Sequence, residues 1–554
     1  MIVTNERGYP TMSKVAEYLQ EHILGEVSTN PAVLKALSTD ASVLEITPEM
    51  AVYPRVTNDI RKVARFVYQL AEKGHVMPLT ARGNGTDETG AALGKGISLI
   101  LPAHMNQILE FDSKQKLIRL QPGANAKSVN DALSLHGMSI PSLPVSAAYS
   151  TIGGAVLNNA SGPLSGRYGD MGEWVHQLEV VLANGDVLQT ERISKRDLNK
   201  KKGMQTFEGE IYRSLDNLIE DNRQLIEQKL VSDIRDNVGY SAIAKVKQRD
   251  GSFDLTPLIV GSQGTLGVVS ELILKAQFTS TQQTAVFITF ANKEAARDAL
   301  DSLAELSPAV LEYFDGVLFT EAEKQGRTYS FYNAASGTFD AGILVGFDDF
   351  SDRARQHKVK KLKKMLINID AQITVEDGQE ATALFAAREV TAYLLSPAGK
   401  DVSAPPLFDG AYVPSARFED FQIAVTTLAE KHHVTLPLHV RALDGTVYTR
   451  PILQLQKVGD KQKIFKLLDE YTAIVERHGG HLIAEAGEGR VKARFAYKDL
   501  DDDVLELFAA VKEIFDPNAI LNPGVKQTTE LRQLVSELRA GYDTAAFADH
   551  VLHS

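Results

Sequence analysis

Three glycine-rich segments constrain this chain more than any other feature. They are Arg82-Gly83-Asn84-Gly85-Thr86-Asp87-Glu88-Thr89-Gly90, Ser150-Thr151-Ile152-Gly153-Gly154-Ala155-Val156-Leu157-Asn158-Asn159-Ala160-Ser161-Gly162, and Gly261-Ser262-Gln263-Gly264-Thr265-Leu266-Gly267. Glycine lets the backbone take positive φ and approach a ligand closely. Successive exposed N–H groups in such turns form anion-binding nests. A diphosphate needs more donors than one loop supplies, so three such loops point to a shared, phosphate-bearing ligand. Taken singly, each segment reads equally well as a turn. None has the spacing of a Walker A loop or of a Rossmann fingerprint.

Composition narrows the chemistry. The chain has 554 residues, too many for one core, because single cores stop growing at roughly 250–300 residues. Hydrophobic residues at 44% and charged residues at 23% are ordinary for a globular fold. A net charge of −12 argues against a nucleic-acid partner. There is no cysteine. That removes disulfides, thiolate nucleophiles, Cys-ligated zinc and iron–sulfur clusters. Electron chemistry must then use a bound cofactor or a separate partner. No stretch approaches the roughly 20 apolar residues of a membrane span. Met1 to Gln20 lacks a basic region followed by an apolar core, so it does not read as a signal peptide. The expectation is a cytoplasmic protein.

Periodicity divides the chain. Residues 1–45 read as a helical extension, with Val15, Leu19, Ile23 and Leu24 at helical spacing. Residues 46–277 alternate helices with short apolar strands at Val76–Leu79, Ile97–Leu101, Leu117–Gln121, Leu178–Leu182 and Val268–Leu274. Residues 278–477 change rhythm. Strands at Val286–Phe290, Ile343–Phe347 and Leu436–Val440 alternate with amphipathic helices over 292–305, 351–369, 416–431 and 460–477. That proportion predicts an α+β unit with an antiparallel sheet. Residues 478–554 carry Gly487, Gly489, a helix from Asp501 to Phe515 and the turn Asn522-Pro523-Gly524.

Together with Ser165-Gly166-Arg167-Tyr168-Gly169-Asp170, Asn237-Val238-Gly239-Tyr240 and Asp516-Pro517-Asn518-Ala519-Ile520-Leu521-Asn522-Pro523-Gly524, the three segments strongly resemble the PCMH-type FAD-binding half of the vanillyl-alcohol oxidase superfamily. Within it the likeness is to the FAD-linked D-lactate, glycolate and D-2-hydroxyglutarate dehydrogenases. The resemblance implies an α+β fold. A two-subdomain FAD-binding domain over 46–277 is followed by a substrate cap over 278–477, and a C-terminal segment over 478–554 returns to the FAD domain. It also implies roles. Arg82, Gly83, Asn84, Gly85 and Thr86 wrap the diphosphate, while Gly153, Gly154, Asn158, Asn159 and Gly162 line the diphosphate and flavin. Tyr168 and Gly169 lie near the flavin, Gly261, Gly264, Thr265, Gly267 and Val268 near the nucleotide. Asn522 approaches the flavin from the C-terminal segment. Relatives that tether FAD often carry His where Thr86 stands here, so the expectation is non-covalent FAD.

The resemblance places a substrate-binding arginine at Arg388, within Phe385-Ala386-Ala387-Arg388-Glu389, with Lys400 assisting. A guanidinium fork suits a carboxylate. The family's metal run is a Gly-His-x-Gly-Asp-Gly-Asn-x-His pattern plus Glu-His-Gly. Here His439 survives, two residues are inserted, Thr446 replaces Asn and Tyr448 replaces the second His. Glu-His-Gly becomes Glu485-Ala486-Gly487, which also removes the family's base. Two ligands are too few for a secure divalent site, so no bound metal is expected. His439, Tyr448 and Glu485 remain as candidates for a base. The implied function is FAD-dependent oxidation of a small 2-hydroxy acid. An alcohol or polyol oxidase and a catalytically degenerate electron-relay protein are the alternatives. The electron acceptor would be a quinone, an electron-transfer protein or oxygen. The lysine-rich run Lys358 to Lys364 fits a solvated helix face, or contact with the inner face of a membrane.

Overall fold

The computed structural model describes residues 12–232, 234–280, 282–324, 326–332, 337–393 and 403–541. Three large sheets and a two-stranded pair, Gln277–Phe278 with Met138–Ser139, organise the described residues. The first orders Glu26–Ser28, Met50–Tyr53, Ile97–Ile100 and Leu79–Arg82. Its last three strands run parallel, and Glu26–Ser28 adds an antiparallel edge. The second is antiparallel, ordered Ile108–Asp112, Leu117–Leu120, Val268–Lys275, Val175–Val181, Val187–Gln189. The third is a seven-stranded antiparallel sheet: Ala371–Asp377, Thr284–Phe290, Ala341–Phe347, Val310–Asp315, Leu438–Arg441, Thr446–Thr449, Ala411–Tyr412.

Local chemistry sets the elements. The helix Thr57–Ala71 buries Ile60, Val63, Ala64, Val67 and Leu70 against the first sheet. Asn125, Thr151 and Asn292 cap the helices that follow them by accepting backbone N–H groups. The strand expected at Val76–Leu79 begins only at Leu79. Pro78 has no N–H to give a ladder, and Val76 is 59% exposed.

Residues 12–45 are more than a helical extension. Glu26–Ser28 joins the first sheet, and Val15, Leu19 and Ile23 are buried in its core. The C-terminal segment also returns there. Leu521 bridges in parallel to Leu79, with the Leu79 N–H donating to the Ile520 carbonyl at 2.7 Å.

The seven-stranded sheet has one packed face and one partly polar face. Its register places Glu312 opposite Arg441 and Phe314 opposite His439, with Tyr448 opposite His439 on the other side. Because strand side chains alternate, Glu312, Phe314, His439, Arg441, Thr446 and Tyr448 share one face. Tyr313, Val440 and Val447 point the other way into the largest core cluster.

Candidate functional site

The loop after strand Leu79–Arg82 presents its backbone outward. No N–H of residues 84–88 donates to a group of the described residues. Five free donors in one turn form an anion nest. The Arg82 side chain takes no part: it is buried and donates to the carbonyls of Leu37, Thr39 and Ala92. Asn84 donates to the Tyr149 carbonyl, and the Thr86 hydroxyl meets Ser150 Oγ at 3.2 Å.

The glycines divide into two groups. A Cβ on Gly154 would meet only Thr151 Oγ1, at 3.1 Å, and one on Gly264 only Ala81 Cβ, at 4.0 Å. On Gly261 it would meet Asn159. Gly154 and Gly264 therefore border open space, whereas Gly261 is buried against Asn159. Gly83, Gly153, Gly162 and Gly267 are instead pressed against Thr151, Pro122, Leu143 and Val180, so they serve close packing. Gly85 packs on the Arg82 guanidinium. Ser262 Oγ, beside Gly261, is buried without a partner. The free N–H groups, the open glycine surfaces and this orphaned hydroxyl fit an FAD diphosphate and nucleotide.

Polar side chains fix the loops around that space. Asn158 donates to Asp87 and accepts from Gln263 at 2.7 Å. Asn159, at φ 45°, donates to Asp170 and Asn237 and accepts from the Gly172 N–H. Asn522 is buried; its amide donates to the Ala91 and Gln263 carbonyls and accepts from Thr80. Thr265 meets the Tyr240 hydroxyl, and Val268 is buried in the first core. Tyr168 donates to Asp348, and burial, reinforced by that bond, pushes its phenol up to about 12. Gly169, at φ 76°, accepts from Ser142.

The partly polar face of the seven-stranded sheet meets these loops. Arg441 donates to the Gly162 carbonyl and to Ser161 Oγ, each at 2.7 Å. Arg450 reaches Glu88 of the nest loop at 2.8 Å and holds Asp409 at 2.6 Å. The inserted Leu443 packs on Gly166. Lys492 is buried beside them, donating to the Asp409 carbonyl, and burial holds its ammonium below the usual range.

On that face the structure brings Arg388, His439, Tyr448 and Glu485 together. Lys400 lies outside the described residues. Joining them is Glu312, which sequence reasoning missed. One of its oxygens accepts from or pairs with His439 Nε2 at 2.9 Å, and the other lies 2.9 Å from Arg388 Nε. Arg388 is therefore ion-paired rather than free, because an unpartnered guanidinium there would be a buried lone charge. The pairing is not aligned as a hydrogen bond, and Arg388 Nε and Nη2 both lack an aligned acceptor. Burial pushes the Glu312 carboxyl up, but Arg388 and the His439 bond outweigh it and hold it below the usual range. His439 stacks between Phe314 and Tyr448, at ring centroids of 4.3 and 4.9 Å. Its Nδ1 is buried without a partner. Burial raises the Glu485 carboxyl. Among the described residues no group of three His, Cys, Asp or Glu is placed to hold a metal ion.

Comparison with known proteins gives the arrangement a family. The chain is similar to D-2-hydroxyglutarate dehydrogenase of Pantoea ananatis, 25% identical over 512 residues, covering 90% of this chain and 50% of that protein. The chain thus spans about half the length of the D-2-hydroxyglutarate dehydrogenases it matches. It is also similar to glycolate oxidase subunit GlcD of Bacillus subtilis, 25% identical, covering 88% of this chain and 91% of that one. D-lactate dehydrogenase of Archaeoglobus fulgidus is 24% identical, covering 86% and 90%. The fold matches 4-ethylphenol oxidase from Gulosibacter chungangensis, with a TM-score of 0.66 at 15% identity over 94% of this chain and 98% of that one. The family model described as FAD binding domain matches residues 48–191, and that described as FAD linked oxidases, C-terminal domain, matches 279–525. With both models in chain order over the sheets that build the nest and the polar face, the chain belongs to the PCMH-type FAD-linked flavoproteins.

Proposed function

We propose that this protein is an FAD-dependent oxidoreductase that oxidises a small 2-hydroxy acid. The observation that carries the reading is Arg388 Nη2, which is buried without a hydrogen-bond partner while Nε pairs with Glu312, in one cluster with an unpartnered imidazole nitrogen of His439. A guanidinium N–H left in this way suits a carboxylate oxygen. The relatives named for D-2-hydroxyglutarate, glycolate and D-lactate support an acid substrate. When bound, FAD supplies the hydride acceptor, and the protein supplies position and electrostatics. Arg388 holds the carboxylate, and Arg441 ties the same sheet face to Ser161 and Gly162. Stacking by Phe314 and Tyr448 keeps water from His439, which is 4% exposed.

The division into an FAD domain over 46–277, a cap over 278–477 and a returning segment over 478–554 belongs to the same reading. So do non-covalent FAD, an external electron acceptor and a cytoplasmic location peripheral to the membrane. Among the described residues no helix is long and apolar enough to cross a membrane. Exposed Lys360, Lys361, Lys363 and Lys364 offer the surface for anionic lipid. The test is anaerobic addition of D-lactate, glycolate or D-2-hydroxyglutarate to the holoprotein. One of them should bleach the visible flavin absorbance. Bleaching by none, while a simple alcohol bleaches it, would replace the acid reading.

A further inference from the structure

We propose that His439 is the base that takes the substrate's hydroxyl proton, and that it acts through Nδ1 because Glu312 fixes the resident proton on Nε2. The proposal rests on the 2-hydroxy-acid reading and assigns the residue that completes it. Glu312 is 1% exposed and contacts both Arg388 and His439. An ionised carboxylate can only accept hydrogen bonds. Its ion pair with Arg388 keeps it ionised, so the 2.9 Å contact to His439 requires the proton to sit on Nε2. The Nδ1 lone pair is then buried with no hydrogen-bond partner among the described residues. A buried lone pair without a partner is costly unless a ligand supplies the donor. A hydroxyl on the carbon next to an Arg388-bound carboxylate is such a donor.

The other candidates are worse placed. Burial pushes the Tyr448 phenol well above its ordinary range, so it holds its proton. Glu485 lies 3.7 Å from Arg441, whose charge it faces. Ala486 has no acid–base group. In the step, the hydroxyl O–H bond breaks and its proton passes to Nδ1. The O–H pair forms the carbonyl, and the α-hydrogen leaves with two electrons for the oxidised flavin. The imidazolium that results is neutralised across its Nε2–H by Glu312. Glu312 itself touches no substrate and is a positioning residue.

The test uses holoprotein and whichever of the three acids bleaches the wild type. Stopped-flow flavin reduction is measured for His439→Ala, His439→Asn and Glu312→Gln, with flavin absorbance confirming a loaded fold. His439→Ala should reduce its flavin about 10²–10⁴-fold more slowly. The acid concentration at half-maximal rate should change little, and added imidazole should restore part of the rate. Glu312→Gln should also slow reduction, since the amide no longer dictates the tautomer. ¹⁵N spectra of histidine-labelled wild type should show the His439 signal, identified by its loss in His439→Asn, protonated at Nε2. An unchanged rate in both His439 variants would overturn the base assignment and leave the acid reading standing. So would an acid affinity that falls as far as the rate, or an Nδ1-protonated signal. A wild-type flavin that none of the acids reduces would sink the functional reading and the assignment together.

Discussion

Arg388 has two tasks on one guanidinium. It neutralises Glu312 inside the protein through Nε, and its Nη2, buried without an acceptor, is offered to a ligand. Replacing it by Ala removes a charged hydrogen bond worth about 1.5–3 kcal/mol. KM for the acid should therefore rise roughly 10- to 100-fold, and Lys should restore little because the fork is lost. An unchanged KM in a flavin-loaded variant would show that the acid binds elsewhere. Tyr448 bears on a second expectation at this scale, that no metal binds. It sits opposite His439, where a second imidazole would be needed to trap a divalent ion, and a neutral phenol is a poor ligand. Incubation with EDTA should leave flavin reduction unchanged, and elemental analysis should find less than one zinc or manganese per chain. Stoichiometric metal together with loss of activity on chelation would contradict this. Arg388, His439, Tyr448 and Glu485 could each be picked out in the sequence by their setting in a motif. Glu312 could not. It lies 127 residues before His439 in an unremarked stretch, and only strand register brings the two together.

At the scale of elements, the glycines that resembled one another in sequence have different tasks. Gly154 borders open space, whereas a Cβ on Gly162 would run into the Leu143 carbonyl. Gly154→Ala should fold with nearly the wild-type melting temperature and bind FAD more weakly. Gly162→Ala should lower the melting temperature of the apoprotein itself. Equal losses of apoprotein stability in both variants would refute the division. Regular apolar elements were legible from periodicity alone. The helices Lys293–Ala304 and Val458–Arg477 and the strand Ala341–Phe347 lie close to where spacing put them. Val310–Asp315 and Thr446–Thr449 escaped notice because Glu312, Asp315 and Tyr448 interrupt their apolar pattern. Glu312 and Tyr448 of the polar face lie on those strands. The strand expected in 76–79 slid toward Arg82 because Pro78 cannot join the ladder.

Across the whole molecule, the cofactor loops and the seven-stranded sheet meet through charged contacts, and Glu88 is the titratable member nearest the nest. Burial, then the Asp409 and Glu485 carboxylates, push it up to about 7 against the pull of Arg450. From its ordinary value of 4.5 to about 7 the folded chain keeps a proton that the unfolded chain has released. Stability from this group therefore falls as pH rises through that window. A diphosphate at the neighbouring N–H groups is repelled once Glu88 ionises. Its side chain is 38% exposed, so solvent screens much of this. FAD should bind the apoprotein several-fold more weakly at pH 8 than at pH 6, by fluorescence titration, and Glu88→Gln should flatten the dependence. An equal slope in both proteins would remove Glu88 as its source.

The grip of Asn522 on Thr80, Ala91 and Gln263 also bears on how the chain is made. The nest loop follows strand Leu79–Arg82, whose outer edge is completed only by Ile520 and Leu521. Those partners leave the ribosome more than 400 residues later, since Thr80 and Asn522 are 442 positions apart. At about 5–20 residues per second the first sheet waits roughly 20–90 s for its last strand partner. Nascent chains arrested before Asp516 should emerge without the ability to retain flavin, however well their N-terminal helices have formed. Cofactor capture is then a late, single event that waits for the strand partners around Leu521.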